Sequence, residues 1–263
     1  MDLQVKGKVY MVAASSKGMG FGIARELAKN GAIVCMASRT KSDIEKAAEQ
    51  LRKETGATIH ASVYDAESAE SINNWINEVE TAFERIDGLL INAGGPPAGN
   101  FDDFDDSQWQ AAFNLTLMSA VRLIRGVLPA MRNGGGGSIL TITSWSVKEP
   151  INRLLLSNVF RSGVTSLVKS LSNELGHENI RVNNLIPGRI DTERLQALDK
   201  RNAMIEGISE EEIKQKAASG IPLGRYGTIE ETGKAGAFLL SPAASYITGV
   251  SLAVDGGILK TVW

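Results

Sequence analysis

Apolar residues along the chain follow two spacings. Short, nearly continuous apolar runs occur at 9–14, 32–37, 89–91 and 139–142, and the more mixed stretches 58–63, 180–186 and 251–254 also read as strands. Runs of that length suit strands covered on both faces. Between them apolar residues recur every three or four positions: Ile23, Leu27 and Ala28; Ile72, Ile76 and Val79; Trp109, Phe113, Leu117, Val121, Ile124 and Leu128. That spacing predicts helices with one buried face. One opens after the glycines at 18–22 and ends at Gly31; others are expected over 42–53, 68–85, 107–131, 153–177 and 230–240. Strands alternating with helices predict an α/β fold with a parallel sheet between two helical layers. No repeat or low-complexity linker interrupts the pattern, so residues 1–263 read as one domain.

Two stretches break the periodicity. Gly134–Gly137 reads as a surface turn. The charged region 192–216 reads as irregular, with one amphipathic helix over 209–218 that starts at Glu210, Glu211 and Glu212. An insertion after the sixth strand, 192–218, is expected to lie over the ligand crevice like a lid. Four aspartates at 102, 103, 105 and 106 sit before a helix, where acids favour the dipole, and Asp106 or Ser107 is the expected cap.

Composition narrows the function. The chain has 43% hydrophobic residues in 263, enough for a large core. A net charge of -2 points to neither a nucleic acid nor an anionic membrane. No apolar run reaches the roughly 18 residues of a membrane span. The N-terminus lacks a signal-peptide pattern, so a cytoplasmic location is expected. Cys35 lies in an apolar run and reads as a small core residue. His60 and His177 have no ligand-spaced partners, so no metal site is expected.

The chemistry starts after the first strand. Gly18, Gly20 and Gly22 stand between a strand and a helix, the arrangement that lets backbone approach a pyrophosphate at a helix N-terminus. After the second strand, where NAD-binding chains place an acid for the ribose hydroxyls, this chain has Ser38, Arg39 and Thr40. Arg39 with Lys17 favours a 2′-phosphate, hence NADP(H) over NAD(H). The alternative for Arg39 is a solvated surface arginine.

Taken together, Ala14 to Gly20, Asn92-Ala93-Gly94, Asn114, Ser144, Pro187 to Thr192, Ile221 to Gly227, Tyr246 to Gly249 and Val254 to Gly257 resemble the short-chain dehydrogenase/reductases, nearest the 3-oxoacyl-carrier-protein reductase branch. The resemblance implies a single-domain, Rossmann-like, doubly wound parallel sheet of seven strands. It also implies a nicotinamide cofactor and dimers or tetramers packed through the helices of 107–131 and 153–177. By the same resemblance Ser16, Lys17, Gly18 and Met19 form the phosphate turn. Ser38 and Arg39 meet the adenosine ribose. Asn92, Ala93 and Gly94 line it, and Pro187, Gly188, Ile190 and Thr192 meet the nicotinamide amide. Ser62 stands for the family's adenine-side aspartate, and Val63 keeps its place beside it. Ala13 and Ala14 replace a Thr-Gly pair, which adds a methyl group under the pyrophosphate.

The catalytic set departs from the family. Asn114 and Ser144 match, but the Tyr and Lys positions hold Ser157 and Arg161. The tyrosines of the chain, at 10, 64, 226 and 246, lie outside this helix. Ser157 and Arg161, four apart, share a helix face. A serine hydroxyl is a far weaker acid than a phenol. Three readings stay open: a working reductase using Ser144, Arg161 and water; a module that binds NADPH without turnover; or structural replacements in a helix buried at an oligomer interface. Lys148 and Glu149 read as substitute proton donors or as a solvated loop pair. Trp145, Arg153, Leu154, Leu155 and segment 193–216 are expected to surround a partly apolar carbonyl or alcohol substrate.

Overall fold

Every residue of Val9–Ala13 (β1) is buried. Val9, Met11 and Ala13 face one layer of helices; Tyr10 and Val12 face the other. A strand covered on both faces has no use for a polar alternate, which explains the continuous apolar runs. The computed structural model describes residues 1–262. Its elements follow in order: β1, α1 (Gly18–Lys29), β2 (Ile33–Ser38), α2 (Lys41–Thr55), β3 (Ile59–Val63), α3 (Ala69–Phe83), β4 (Gly88–Ile91), α4 (Asp106–Phe113), α5 (Ser119–Asn133), β5 (Gly137–Ile142), α6 (Leu155–Leu175), β6 (Ile180–Pro187), α7 (Glu193–Glu206), α8 (Glu210–Ala218), α9 (Ile229–Leu240) and β7 (Ser251–Val254).

The strands form one sheet in the order β3-β2-β1-β4-β5-β6-β7, with every neighbouring pair parallel. The order reverses between β1 and β4, so a crevice opens there at the carboxyl ends of the strands. One core layer packs Trp75, Val79, Leu123, Val127, Val164 and Val168 from α3, α5 and α6. The other packs Ile23, Leu27, Ile44, Leu51 and Leu239 from α1, α2 and α9. Here α1 and α9 meet backbone to backbone: a Cβ on Gly22 would lie 2.5 Å from Ile229 Cγ2, and one on Gly233 would lie 2.6 Å from the Gly22 carbonyl oxygen. Cys35 is fully buried on β2, and burial pushes its thiol up to about 12, as expected of a core cysteine.

Three expectations need correction. The helix predicted without a break over 107–131 contains a π-helical segment, Asn114–Met118, between α4 and α5. The Ser119 N–H donates to the Asn114 carbonyl, five residues back. Hydrophobic spacing does not register one extra residue in a turn. The cap of α4 is Asp105, not Asp106 or Ser107; its side chain accepts the Gln108 N–H, and Gln108 reaches back to the Asp105 N–H. Region 192–216 holds two helices rather than one. Only Asp199 and Ala203 of α7 are buried, so the helix has no apolar stripe to read. Its legible signals were the Thr192 cap and Gly207 at the end. Separately, α4 through α5, Asp106–Asn133, is by length and composition apolar enough to cross a membrane. In this fold α5 buries Ala120, Leu123, Ile124, Val127 and Met131.

Ala14 takes φ +48, in the left-handed region that disfavours a Cβ. A glycine there removes about 1–2 kcal/mol of strain and returns about 0.4–1 kcal/mol through a freer unfolded chain. Ala14→Gly is therefore expected to raise stability by about 0.5–1 kcal/mol, read as a shifted urea midpoint at unchanged slope.

Candidate active site

The crevice at the β1–β4 switch is a cleft of about 650 Å³, within the range of small-molecule sites. Ser16, Lys17, Ser38, Arg39, Asn92, Ala93 and Gly94 all line it. Its floor is the glycine turn. A Cβ on Gly20 would sit 2.5 Å from the Ala14 carbonyl oxygen and 3.2 Å from Asn92 Nδ2, so only glycine lets the turn close. Asn92 Nδ2 donates to that same carbonyl at 3.3 Å and ties β4 to the turn. The N-terminus of α1 has no side-chain cap and no acid in its first turn. Its leading N–H groups and partial positive charge favour an anion there, and Ser16 and Lys17 just before it line the cleft while Gly18 and Met19 do not. Gly18 and Met19 belong to that first turn. Lys17, at the N-cap, pairs with Glu193 at 2.7 Å, which raises its pKa. Arg39 is exposed and makes no ion pair among the described residues.

The adenosine end differs from expectation. Val63 is 52% exposed at the end of the edge strand β3, and Ser62 is buried; neither lines the cleft. Tyr64, Asp65 and Glu67 do. Side chains alternate along a strand, so Val63 turns outward where Tyr64 turns in. Their placement just past the end of a parallel strand was the signal available for them.

At the other end, Asn92, Ala93 and Gly94 also border a small cavity with Thr116, Thr143 and Arg161. Arg161 Nη1 donates to the carbonyls of Ile142 at 3.0 Å and Thr143 at 3.3 Å. Its Nε–H donates to Ser157 Oγ at 3.1 Å. The guanidinium is thus clamped to the end of β5, and Nη2 is left as its free edge. Burial, aided by the charge of Arg194, pushes it down to about 10, so it stays cationic at neutral pH. Ser157 is buried, and since its Oγ accepts from Arg161 its own proton points elsewhere. Ser144 Oγ likewise accepts the Ser146 N–H at 3.1 Å and keeps its proton to donate. Asn114 opens the π segment, where the helical ladder is locally widened. The hydroxyls of Thr116 and Thr143 are buried without partners beside Arg161, a place suited to an ordered water.

The segment after β6 lies beside the cleft, and Pro187, Gly188, Ile190 and Thr192 are not part of its lining. Gly188 lies flat on Asp255; a Cβ there would be 2.6 Å from its Cα. Pro187 ends β6. Ile190 is buried and borders a separate cavity with Gly227 and Asp255. Thr192 caps α7, accepting the Leu195 N–H, and its methyl lies against Gly18. With Glu193 on Lys17 and Arg194 resting on Gly95, the first turn of α7 crosses the mouth of the cleft. Tyr226 donates to the buried carboxylate of Asp199 at 2.9 Å, and Lys214 holds Asp191 at 3.0 Å, anchoring α7 and α8 to the body. No local pattern marked Arg194, because its place depends on how α7 docks.

The apolar wall is Pro96, Pro97, Ala111, Ala112 and Leu115. Trp145, Arg153, Leu154 and Leu155 do not line the cleft. Glu149 accepts the Lys260 N–H at 2.7 Å and so ties down the C-terminal segment; Lys148 is exposed and does not pair with it.

A profile described as enoyl-(acyl carrier protein) reductase matches residues 13–259. The chain belongs to the short-chain dehydrogenase/reductase family and is an oxidoreductase. It is 30% identical over 258 residues to the 3-oxoacyl-[acyl-carrier-protein] reductase of Chlamydia muridarum, covering 98% of this chain and 100% of that one. L-sorbose reductase from Gluconobacter frateurii, solved with NADPH and L-sorbose, superposes with a TM-score of 0.96 at 32% identity, covering all of both chains. A 7α-hydroxysteroid dehydrogenase complexed with NADH and a 7-oxo bile acid superposes at 0.89 with 28% identity, covering 100% of this chain and 98% of that one.

Proposed function

We propose that this chain is an NADPH-dependent reductase of a carbonyl such as a 3-oxoacyl thioester or a similar ketone. The observation that carries this reading is the unpaired, exposed Arg39 on the cleft wall after β2, beside an uncapped helix N-terminus. An arginine fork matches phosphate oxygens, and a helix N-terminus favours a pyrophosphate. The Lys17–Glu193 pair is exposed on both sides, so exchanging Glu193 for a phosphate costs about 1 kcal/mol or less. Gly20 lets the phosphate turn close, and the space in front of Gly94 is open, which leaves room there for a dinucleotide.

A bound nicotinamide cofactor would supply the hydride. The chain's own residues must then polarise the carbonyl oxygen and deliver a proton to it. Ser144 has a free hydroxyl proton for the first task. Ser157, whose oxygen is held by the Arg161 Nε–H, is a stronger donor than a free serine for the second. Ser157 lacks the acidity to be the final proton source at neutral pH. The proton is therefore drawn from solvent, through water held near Asn114, Thr116 and Thr143. As neither serine nor Arg161 titrates between pH 6 and 9, kcat is expected to stay flat across that range. A sigmoid centred near pH 7–8 would instead demand another acid.

Purified protein titrated with NADPH and NADH by fluorescence tests the cofactor. Failure to bind either overturns the proposal, and preference for NADH overturns the role of Arg39. Absorbance assays with 3-oxo thioesters, diketones and aldehydes then test turnover. Tight NADPH binding with no turnover of any would favour the second reading, a cofactor-holding module. That reading draws on the clamped Arg161, which cannot move protons as a lysine does. We propose further a homodimer or homotetramer with α5 and α6 at the contacts, where Val159 is 43% exposed on α6. Light scattering of the purified protein tests it.

A further inference from the structure

Where Asn92, Ala93 and Gly94 pass from the crevice to the smaller cavity stand two guanidinium groups, neither of them in an ion pair among the described residues. Arg161 is clamped by neutral acceptors only: two backbone carbonyls and a serine. Arg194, from the first turn of α7, rests on Gly95, so close that a Cβ there would lie 2.5 Å from Nη2. It makes no ion pair or side-chain hydrogen bond among the described residues, although Glu193, Asp191 and Asp199 are near it in the chain. Those acids are committed elsewhere, to Lys17, to Lys214 and Gln196, and to Tyr226. Arg194 is also near enough to Arg161 to disfavour its charge. Like charges in a partly desolvated site repel, and the fold keeps them together with nothing of its own between.

Their position separates them from the phosphate turn. Gly95 follows β4, and Arg161 sits behind the end of β5. The glycine turn and the uncapped helix N-terminus follow β1. Arg161 therefore lies next to Ser144, through its bond to the Thr143 carbonyl, and Arg194 lies over Gly95, the residue after the Asn92-Ala93-Gly94 stretch that borders the Arg161 cavity.

We propose that Arg194, backed by Arg161, is an anion subsite for the substrate, and that the preferred substrates are oxo acids bearing a carboxylate or phosphoryl group close to the carbonyl. This rests on the reductase reading above. Arg194 offers a planar fork that fits a carboxylate or phosphoryl oxygen pair. Docking of the anion relieves the repulsion between the two cations and sets the carbonyl near the two serine hydroxyls.

The test pairs acids with their neutral esters: acetoacetate and 2-oxobutyrate against their ethyl esters, with NADPH saturating. The wild type should prefer each acid in kcat/KM. Arg194→Gln should lower the acid-to-ester ratio by roughly 10- to 100-fold, the worth of one charge-assisted pair, mostly through KM. Arg194→Lys should recover part of it. Arg194 is exposed and unbonded, so neither change should disturb folding. The cofactor's pyrophosphate offers the same chemistry, so NADPH affinity is measured in each variant. A loss of NADPH affinity as large as the loss in ratio would assign Arg194 to the cofactor and overturn the proposal. Equal use of acid and ester by the wild type would also overturn it. If no carbonyl compound is turned over, the reductase reading fails by itself. Calorimetric binding of acetoacetate to the NADPH complex, abolished by Arg194→Gln, then still supports the subsite, and no binding overturns it.

Discussion

Replacing Ser157 by Tyr and Arg161 by Lys together is expected to speed carbonyl reduction by about 100-fold or more at saturating NADPH, the usual worth of a positioned general acid. A phenol titrates near 10 and reaches farther from the helix than a serine hydroxyl. It would take the proton task that Ser157 performs only through water. The two changes are coupled. Arg161 fills the space beside position 157 and clamps the carbonyls of Ile142 and Thr143. Ser157→Tyr alone places a ring against that guanidinium and is expected to lower stability without raising the rate. Arg161→Lys alone loses the Nε–H on Ser157 Oγ and frees one β5 carbonyl. The pair should therefore be strongly non-additive, with the double variant better than either single. It should also acquire a pH-dependent rate that the wild type lacks, as the new phenol titrates. A folded double variant that binds NADPH yet is no faster would show that Asn114 and Ser144 are not arranged for catalysis.

Loss of Arg39 is expected to be the largest change in cofactor binding. Arg39→Ala should weaken NADPH roughly 10- to 100-fold, the worth of one or two charge-assisted hydrogen bonds to a phosphate. NADH should change by no more than about twofold, since it has no group for this side chain to hold. Arg39→Asp should go further and turn the preference toward NADH, because a carboxylate repels the 2′-phosphate and accepts from ribose hydroxyls. Fluorescence titration of both cofactors checks each variant. Equal losses for NADPH and NADH would mean that Arg39 shapes the cleft and does not read the phosphate. Relatives of this fold have been solved with either cofactor, so the choice rests on side chains such as this one.

Much of the fold was legible because burial on both faces leaves a plain mark. Strands such as 9–14 and 139–142 are apolar without alternation, and their helices repeat every three or four residues. The seven strands found agree with the seven expected to within about two residues at each end. What escaped was structure that burial does not mark. The π segment at Asn114 changes hydrogen bonding by one residue and leaves the apolar spacing almost untouched. Helix α7 stands largely in solvent, so no apolar stripe announced it. The outward turn of Val63 and inward turn of Tyr64 depended on where β3 ends.

The sequence by itself determined the glycine turn, the strand–helix alternation, the cation after the second strand and the Ser157/Arg161 exchange. These are local: each depends on residue type and short spacing. Only the tertiary structure decided what Arg161 holds, since its partners are the last residue of β5, Ile142, and the next, Thr143, 19 and 18 positions away. It also decided that Lys17 meets Glu193, 176 positions on, and that Arg194 descends onto Gly95. Long side chains take their partners from whatever elements the packing brings within reach. Until α7 docks across the cleft, nothing in the order of residues places two arginines beside the stretch from Asn92 to Gly95.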